Sequence, residues 1–281
     1  MVNIQVQTVL FKSDLNLLFR SLDSVCNAAK LFNDGICLNF CIGDASPEQS
    51  IENQYLPKTL GNGINICYSY FNENTGFGRG HNRLGLGTTS DYILIINPDI
   101  FLSGDFFIET LPLICSSDVG IVEARQVPLE HPKEYDILTG ETSWASGACF
   151  FIRTDIFNQL KGFDENFFMY CEDVDLSWRV RNLGYRILYQ PRALAFHDKR
   201  LSVSAKSNPT EFEIYHTCLS SLLMAYKWKN KQLYKKLLRE YEGALNLKGL
   251  LDEFLERKSK LQIQDKNYYS GKNFHINRYV F

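Results

Sequence analysis

No CxxC pair occurs among the eight cysteines. A structural zinc site needs tighter Cys/His clustering than this. Thiols set in apolar runs, as Cys67, Cys115, Cys149 and Cys218 are, read as buried free thiols of a reducing compartment, the cytoplasm. No apolar run approaches the ~20 residues that cross a bilayer, and the longest, such as Tyr92 to Ile96, are strand-sized. Met1 to Gln7 carry no basic region ahead of a long apolar stretch, so no signal peptide is expected. Lysine and arginine number 30 against 32 acidic residues, a net charge of -2. That balance gives no global argument for nucleic acid or for an anionic membrane as partner. Internal repeats and low-complexity tracts are absent too. What is present is a chain of 281 residues, 45% hydrophobic and 22% charged, enough for one large domain or two small ones with an ordinary core.

Hydrophobic patterning predicts an α/β architecture. Residues 4–11 read as a first strand, and Ser13-Asp14 caps a helix carrying Leu15, Leu18, Phe19 and Leu22. Residues 36–42, 64–71 and 92–96 give three further strands. The last is apolar on both faces, as central strands of a covered parallel sheet are. Strands alternating with helices over about 100 residues indicate βαβ units and a mainly parallel sheet. Residues 117–140 read as a short strand at 119–123 and then a long excursion containing Pro128 and Pro132. Residues 144–153 return as a strand, Thr154-Asp155 cap a short helix through Leu160, and 185–189 and 193–197 read as two more strands. After a polar stretch at 198–210, helices are expected at about 210–226, 230–244 and 246–260. The final twenty residues show no period.

The densest chemistry lies between Gly162 and Asp175, where five acidic residues fall within twelve positions among aromatic ones. Aromatic side chains go inside and carboxylates stay out unless paired or used, so the stretch reads as a site. From these residues alone, a solvated helix start is the better reading, since acidic groups favour that end of the dipole. Asn97-Pro98-Asp99 follows the central strand, where ligands of open α/β sheets bind. A lone carboxylate there suits a divalent ion held partly by substrate phosphates, or simply a turn. Asn74-Thr75-Gly76-Phe77-Gly78-Arg79-Gly80-His81-Asn82 is glycine-rich and precedes a helical stretch, an arrangement that admits a phosphate. Its spacing and position fit neither a dinucleotide fingerprint nor a Walker loop, and a structural turn accounts for it as well. His197 ends the last strand on the rim of Asp99, and imidazole is a common metal ligand. Asp44, after the second strand, suits a nucleobase or ribose contact or an Asx turn. Trp144 offers a stacking face, and Ser146-Gly147-Ala148 permits close approach of a ligand or tight packing.

Together these stretches resemble family 2 glycosyltransferases, particularly the rhamnosyltransferase-like branch that builds bacterial surface polysaccharides. The residues that carry the likeness are Gly43-Asp44-Ala45-Ser46, Asn74 to Asn82, Asn97-Pro98-Asp99, Ser146-Gly147-Ala148, Gly162 to Phe168, Glu172-Asp173-Val174-Asp175-Leu176 with Arg179, and His197. The likeness covers roughly residues 4–200. It implies a GT-A fold, with a catalytic domain over 1–200 (nucleotide-sugar binding at about 1–100, the acceptor and catalytic half at about 101–200) and a C-terminal helical extension over 201–281. It implies an inverting transfer from a nucleotide-diphosphate sugar, dTDP-rhamnose in that branch, to a glycan or lipid-linked glycan acceptor, with Mg²⁺ or Mn²⁺. In that scheme Asp173 matches the general base, Asp99 and His197 the metal ligands, and Asp44 the nucleobase contact. Asn74, Gly76, Arg79, Asn82, Trp144, Ser146 and Gly147 belong to substrate binding. Glu172, Asp175 and Arg179 support them, by touching substrate or, for the two carboxylates, by holding Arg179. The metal motif departs from the acidic pair of the family, since Asn97 stands where a second carboxylate would be. Two other classes compete: a sugar-nucleotide-binding assembly partner without turnover, and a sugar nucleotidyltransferase. The latter wants a glycine-rich loop with Arg and Lys after the first strand, which Leu10 to Asp14 do not supply. Leu219, Leu222, Leu223 and Tyr226 with Lys227, Lys229 and Lys231 are expected to pack on the catalytic domain or across a homodimer; docking peripherally on the inner membrane is the alternative.

Overall fold

The computed structural model describes residues 1–32, 35–52, 59–60, 64–130, 133–198, 210–241 and 249–265. The first half is β1 (Val2–Leu10), α1 (Leu15–Leu31), β2 (Ile36–Asp44), β3 (Thr59–Leu60), β4 (Ile64–Tyr70), α2 (Gly76–Gly85) and β5 (Tyr92–Ile96). The second half is β6 (Ile100–Leu102), α3 (Phe106–Ile114), β7 (Val119–Val127), β8 (Cys149–Arg153), α4 (Thr154–Gln159), α5 (Glu172–Asn182), β9 (Arg186–His197), α6 (Glu211–Lys227), α7 (Lys231–Tyr241) and α8 (Leu250–Lys258).

Among the described residues, nine strands form one sheet in the order β3-β4-β2-β1-β5-β8-β7-β9-β6. Strands β4, β2, β1 and β5 run parallel. β8 is inserted antiparallel between β5 and β7, and β9 lies parallel to β7. The period of two sends alternate side chains of β5 to opposite faces. Leu94 and Ile96 enter the core beneath α1 and α3, whereas Ile93 and Ile95 join Phe150, Phe157, Phe163 and Val180 on the other side. As expected, Asp14 caps α1 by accepting from the Asn16 amide at 2.8 Å.

Several expectations are corrected. α3 and β6 arise where no element was expected. β7 runs on to Val127, so the excursion begins later, and β8 begins at Cys149 because residues 144–148 form a turn. The two short strands near the end of the sheet are one, β9. Its register with β7 jumps from Ala124↔Gln190 to Arg125↔Leu194, which lets Pro191, without an N–H to pair, bulge out of the ladder. All eight cysteines are free, as expected, but Cys67 and Cys115 are exposed. The polar stretch after Asp198 and the end of the chain fall largely outside the described residues.

The C-terminal helices close over the acidic segment. Trp144, Phe167, Val174 and Trp178 share a buried cluster with Leu219, Leu222, Leu223, Trp228, Leu237 and Phe254, and the Trp178 and Trp228 rings meet edge to face at 5.0 Å. The apolar face of α6 is therefore covered, and Lys227 is only 1% exposed; this corrects the alternative of a basic amphipathic surface for membranes. Lys227 Nζ reaches Asp164 Oδ2 at 2.7 Å and Asp175 Oδ1 at 2.6 Å. Burial would push the Asp175 carboxyl up, but Lys227 and Arg179 outweigh it and hold it below the usual carboxylate range. Its stabilising contribution is present above the ordinary carboxylate value and lost as pH falls through the lower folded one. Lys227→Met leaves Asp175 half-compensated in the core, and we expect a loss of about 3–5 kcal/mol in urea unfolding at neutral pH.

Candidate active site

Chain direction places the carboxyl ends of β5 and β7 on one rim, and β9 ends beside them. Asp99 lies just past β5 and just before β6, whose Ile100 is in register with His197. The His197 Nε2 is 3.4 Å from Asp99 Oδ1, and its Nδ1 is 3.3 Å from Gln126 Oε1. With the proton on Nδ1 donated to Gln126, Nε2 turns a lone pair toward the carboxylate. Nε2 is buried and makes no hydrogen bond. An imidazole nitrogen and a carboxylate oxygen facing each other in this way suit a divalent cation that takes both N and O ligands, with the orienting partner that metal-binding histidines use. Among the described residues no group of three or more His, Cys, Asp or Glu gathers, so the remaining positions would fall to water and substrate oxygens.

The same rim continues into the turn before β8. Asn97 N donates to Ala148 O at 3.0 Å, and the neighbouring Gly147 N donates to Asp173 Oδ2 at 2.8 Å. Asp173 sits in the first turn of α5, where its Oδ1 also accepts from Val174 N at 2.8 Å. Burial pushes its carboxyl up, opposed by these two N–H donors and by the charge of Lys133. Beside it, Glu172 is 6% exposed, and its Oε2 has no hydrogen-bond partner. Burial first, then the charge of Asp173, drives Glu172 well above the ordinary carboxylate range. The segment enters α5 through Tyr170 and Cys171 at φ 70° and 65°, a left-handed pair costly for non-glycine residues and common where a site fixes its backbone.

Other expected site residues have internal partners. Asp175 is fully buried between Arg179 Nε at 2.7 Å, Lys227 and the Trp228 indole N–H at 3.0 Å. Arg179 Nη1 donates to the carbonyls of Leu160 and Gly162. Both are thus corrected from substrate contacts to the frame of the segment, and Asp175 does hold Arg179. Asn82 clamps the turn at Gly162 by accepting from Phe163 N and donating to Phe163 O. The glycine-rich stretch forms the first turns of α2. Gly78 packs against Phe163 and Gly80 against Val9, while Phe77 N donates to Phe168 O. Asn74 accepts from Gly76 N, and Arg79 pairs with Glu73 and Glu165. Asp44, at the end of β2, accepts from Ser46 N, Ser50 N and the Tyr68 hydroxyl; burial would raise its carboxyl, but these bonds hold it below the usual range. Trp144 and Ser146 are buried in the turn that leads to Gly147.

Gln126, Glu123 and Lys133 escaped the sequence reading. Gln126 and Lys133 lay in what looked like a loop. Glu123 ends the apolar run from Val119, and a carboxylate in such a run is itself a signal of pairing. Gly76 has φ 67°, and a Cβ there would overlap the Phe168 carbonyl oxygen. Gly76→Ala is therefore expected to cost more than about 1 kcal/mol in urea unfolding and to expose the Phe77 amide to hydrogen exchange.

No protein-family model matches the chain. It is 46% identical over 56 residues to the N-acetylglucosaminyl-diphospho-decaprenol L-rhamnosyltransferase of Mycobacterium tuberculosis, covering 20% of this chain and 18% of that one. It is 24% identical over 180 residues to the rhamnosyltransferase WbbL of Escherichia coli K12, covering 53% of this chain and 62% of the relative. The chain thus spans less than two thirds of either relative. Among solved structures, GalNAc-T7 with UDP, GalNAc and Mn²⁺ superposes with a TM-score of 0.67 at 13% identity, over 95% of this chain and 60% of that one. The fold is thus that of the GT-A glycosyltransferases, and the sequence is similar to these two rhamnosyltransferases over the stretches given.

Proposed function

We propose that the chain is an inverting glycosyltransferase that moves a sugar from a nucleotide-diphosphate donor to a hydroxyl of a growing bacterial glycan. The observation that carries this reading is the single rim on which Asp173, bound to Gly147 N, adjoins the turn held by Asn97 N, two residues ahead of Asp99, which faces His197. An acceptor hydroxyl is a poor nucleophile until a base takes its proton. Asp173 is half-buried, leaving part of its surface open, and its two N–H donors fix the carboxylate in one orientation. As the hydroxyl oxygen bonds to the anomeric carbon, its proton passes to Asp173, and the bond to the nucleoside diphosphate breaks with its electrons on the leaving phosphate. Asp99 and His197 would hold a divalent ion, Mg²⁺ or Mn²⁺, which when bound offsets charge on that phosphate. Gln126 keeps the imidazole turned toward Asp99.

The names of the two curated relatives support rhamnose as the donor sugar, and the mycobacterial one supports its L form and a polyprenyl-diphosphate-linked acceptor. Such an acceptor would place the work at the cytoplasmic face of the inner membrane, approached from outside the bilayer. Among the described residues no helix is long and apolar enough to cross a membrane.

Two measurements test this. Nucleoside diphosphate release should be followed with dTDP-L-rhamnose first, then other dTDP-, UDP- and GDP-sugars. Asp173→Asn should lower it by at least about 10²-fold while calorimetric donor affinity stays within about threefold; near wild-type turnover would reject Asp173 as base. Mn²⁺ binding in the presence of dTDP, read by electron paramagnetic resonance, should be lost in Asp99→Ala and His197→Ala. It should weaken about 10–100-fold in Gln126→Leu.

A further inference from the structure

Beneath the turn that presents Gly147 lies an ion pair that the mechanism above does not use. Lys133 and Glu123 are 3% and 2% exposed at their side chains and in direct contact. Burial pushes Glu123 up and Lys133 down, each opposed by the other's charge. A buried pair of this kind adds little net stability compared with apolar residues of the same shape, so its presence asks for another reason.

Its contacts converge on one turn. Lys133 Nζ donates to Trp144 O at 3.1 Å and lies 4.1 Å from the centre of the Trp144 ring. Glu123 accepts from the Ser146 amide. The pair therefore grips the backbone at Trp144 and at Ser146, immediately before the amide that donates to Asp173. From the other side α5 holds the same turn: Ala145 N donates to Ser177 Oγ at 3.0 Å, and Ser177 Oγ donates to Asp173 O at 2.7 Å. Phe77 of α2 packs on Gly147 and brings no charge. The titratable groups that interact with Asp173 are Cys171 and Glu172 from its own segment, Glu123 from β7 and Lys133 from the excursion. Lys133 is the cation among them.

We propose that the buried Lys133–Glu123 pair is a positioning device for Asp173: it fixes the Trp144–Gly147 turn that donates to the carboxylate and places an ammonium beneath that turn. The proposal rests on the reading of Asp173 as the base. The anion of the pair limits how strongly Lys133 acts, so the two members work on Asp173 in opposite senses.

The test uses the full chain with ¹³C-labelled aspartate carboxyls, the Asp173 resonance being assigned by its absence in Asp173→Asn. Lys133→Met should raise the Asp173 titration midpoint by about one pH unit or more, the effect of losing a nearby opposite charge. Glu123→Gln, which leaves the ammonium uncompensated, should lower it. The double variant Glu123→Gln/Lys133→Met keeps a neutral, similarly shaped pair and should fall between the two single changes. The acid limb of nucleoside diphosphate release from dTDP-L-rhamnose should move in the same directions. Midpoints that stay put, or that move the same way in both single variants, would overturn the claim that the charges of the pair act on Asp173 and leave it a prop for the turn alone. The resonance titration reads Asp173 whether or not it is a base. Shifted midpoints with an active Asp173→Asn would therefore reject the catalytic reading and uphold the electrostatic one.

Discussion

Asp175 is completely buried and charged, and that is affordable only because two cations reach it from different elements. Arg179 comes from the next turn of its own helix, and Lys227 from the end of α6. A carboxylate left in an apolar core without such partners would neutralise or unfold its surroundings. The cluster thus makes α5 and the C-terminal helices mutually dependent. Through Arg179 it also reaches the carbonyls of Leu160 and Gly162, and through Lys227 it reaches Asp164. The loop from Gly162 to Cys171 is pinned at both ends by one buried ionic centre.

That pinning lets the loop carry strain. Tyr170 and Cys171 hold left-handed conformations in succession, and such a kink persists only where surrounding contacts over-determine it. Here Ser220 Oγ donates to Met169 O, Phe77 N donates to Phe168 O, and Arg257 donates to Asn166 O. The kink delivers Glu172 and Asp173 to the first turn of α5, against the turn from β8. The sheet makes the same demand from below. Because β8 runs antiparallel beside β5, the start of β8 and the end of β5 coincide on the rim, and Asn97 and Gly147 become neighbours although fifty residues apart.

Much of this was legible in the residues. Strands β1, β2, β4 and β5 follow from apolar runs bounded by turn residues, and the placement of Asp99 and His197 on one rim follows from where strands end. The Asx cap of α1 is a local feature that sequence shows directly, whereas the Thr210–Glu213 capping box of α6 was not read there. What was not legible is long-range. Nothing near Lys227 says that it turns inward to Asp175, since a lysine at the end of an amphipathic helix ordinarily faces water. The glycines of α2 have the composition of a phosphate loop. Their use depends on Phe163 and Val9 lying against them, which only the assembled sheet determines. Gln126 and Lys133 were hidden because the Pro-rich excursion has no period to give them a side.

Asp173 and Asp175 show how little residue type decides alone. They are two positions apart on one helix, and both lose water. Asp175 faces the ionic centre, where Lys227 and Arg179 hold its proton affinity low, and its oxygens are used by structural partners. Asp173 faces the turn, where two amides and one more distant cation only partly offset burial, so its carboxyl is held up. A base must be ionised at the working pH, and the nearer its affinity to that pH the better it accepts a proton. Neighbouring carboxylates driven in opposite directions by their surroundings mark a division of labour: Asp175 holds the segment together, and that rigidity keeps Asp173 in one orientation at the rim.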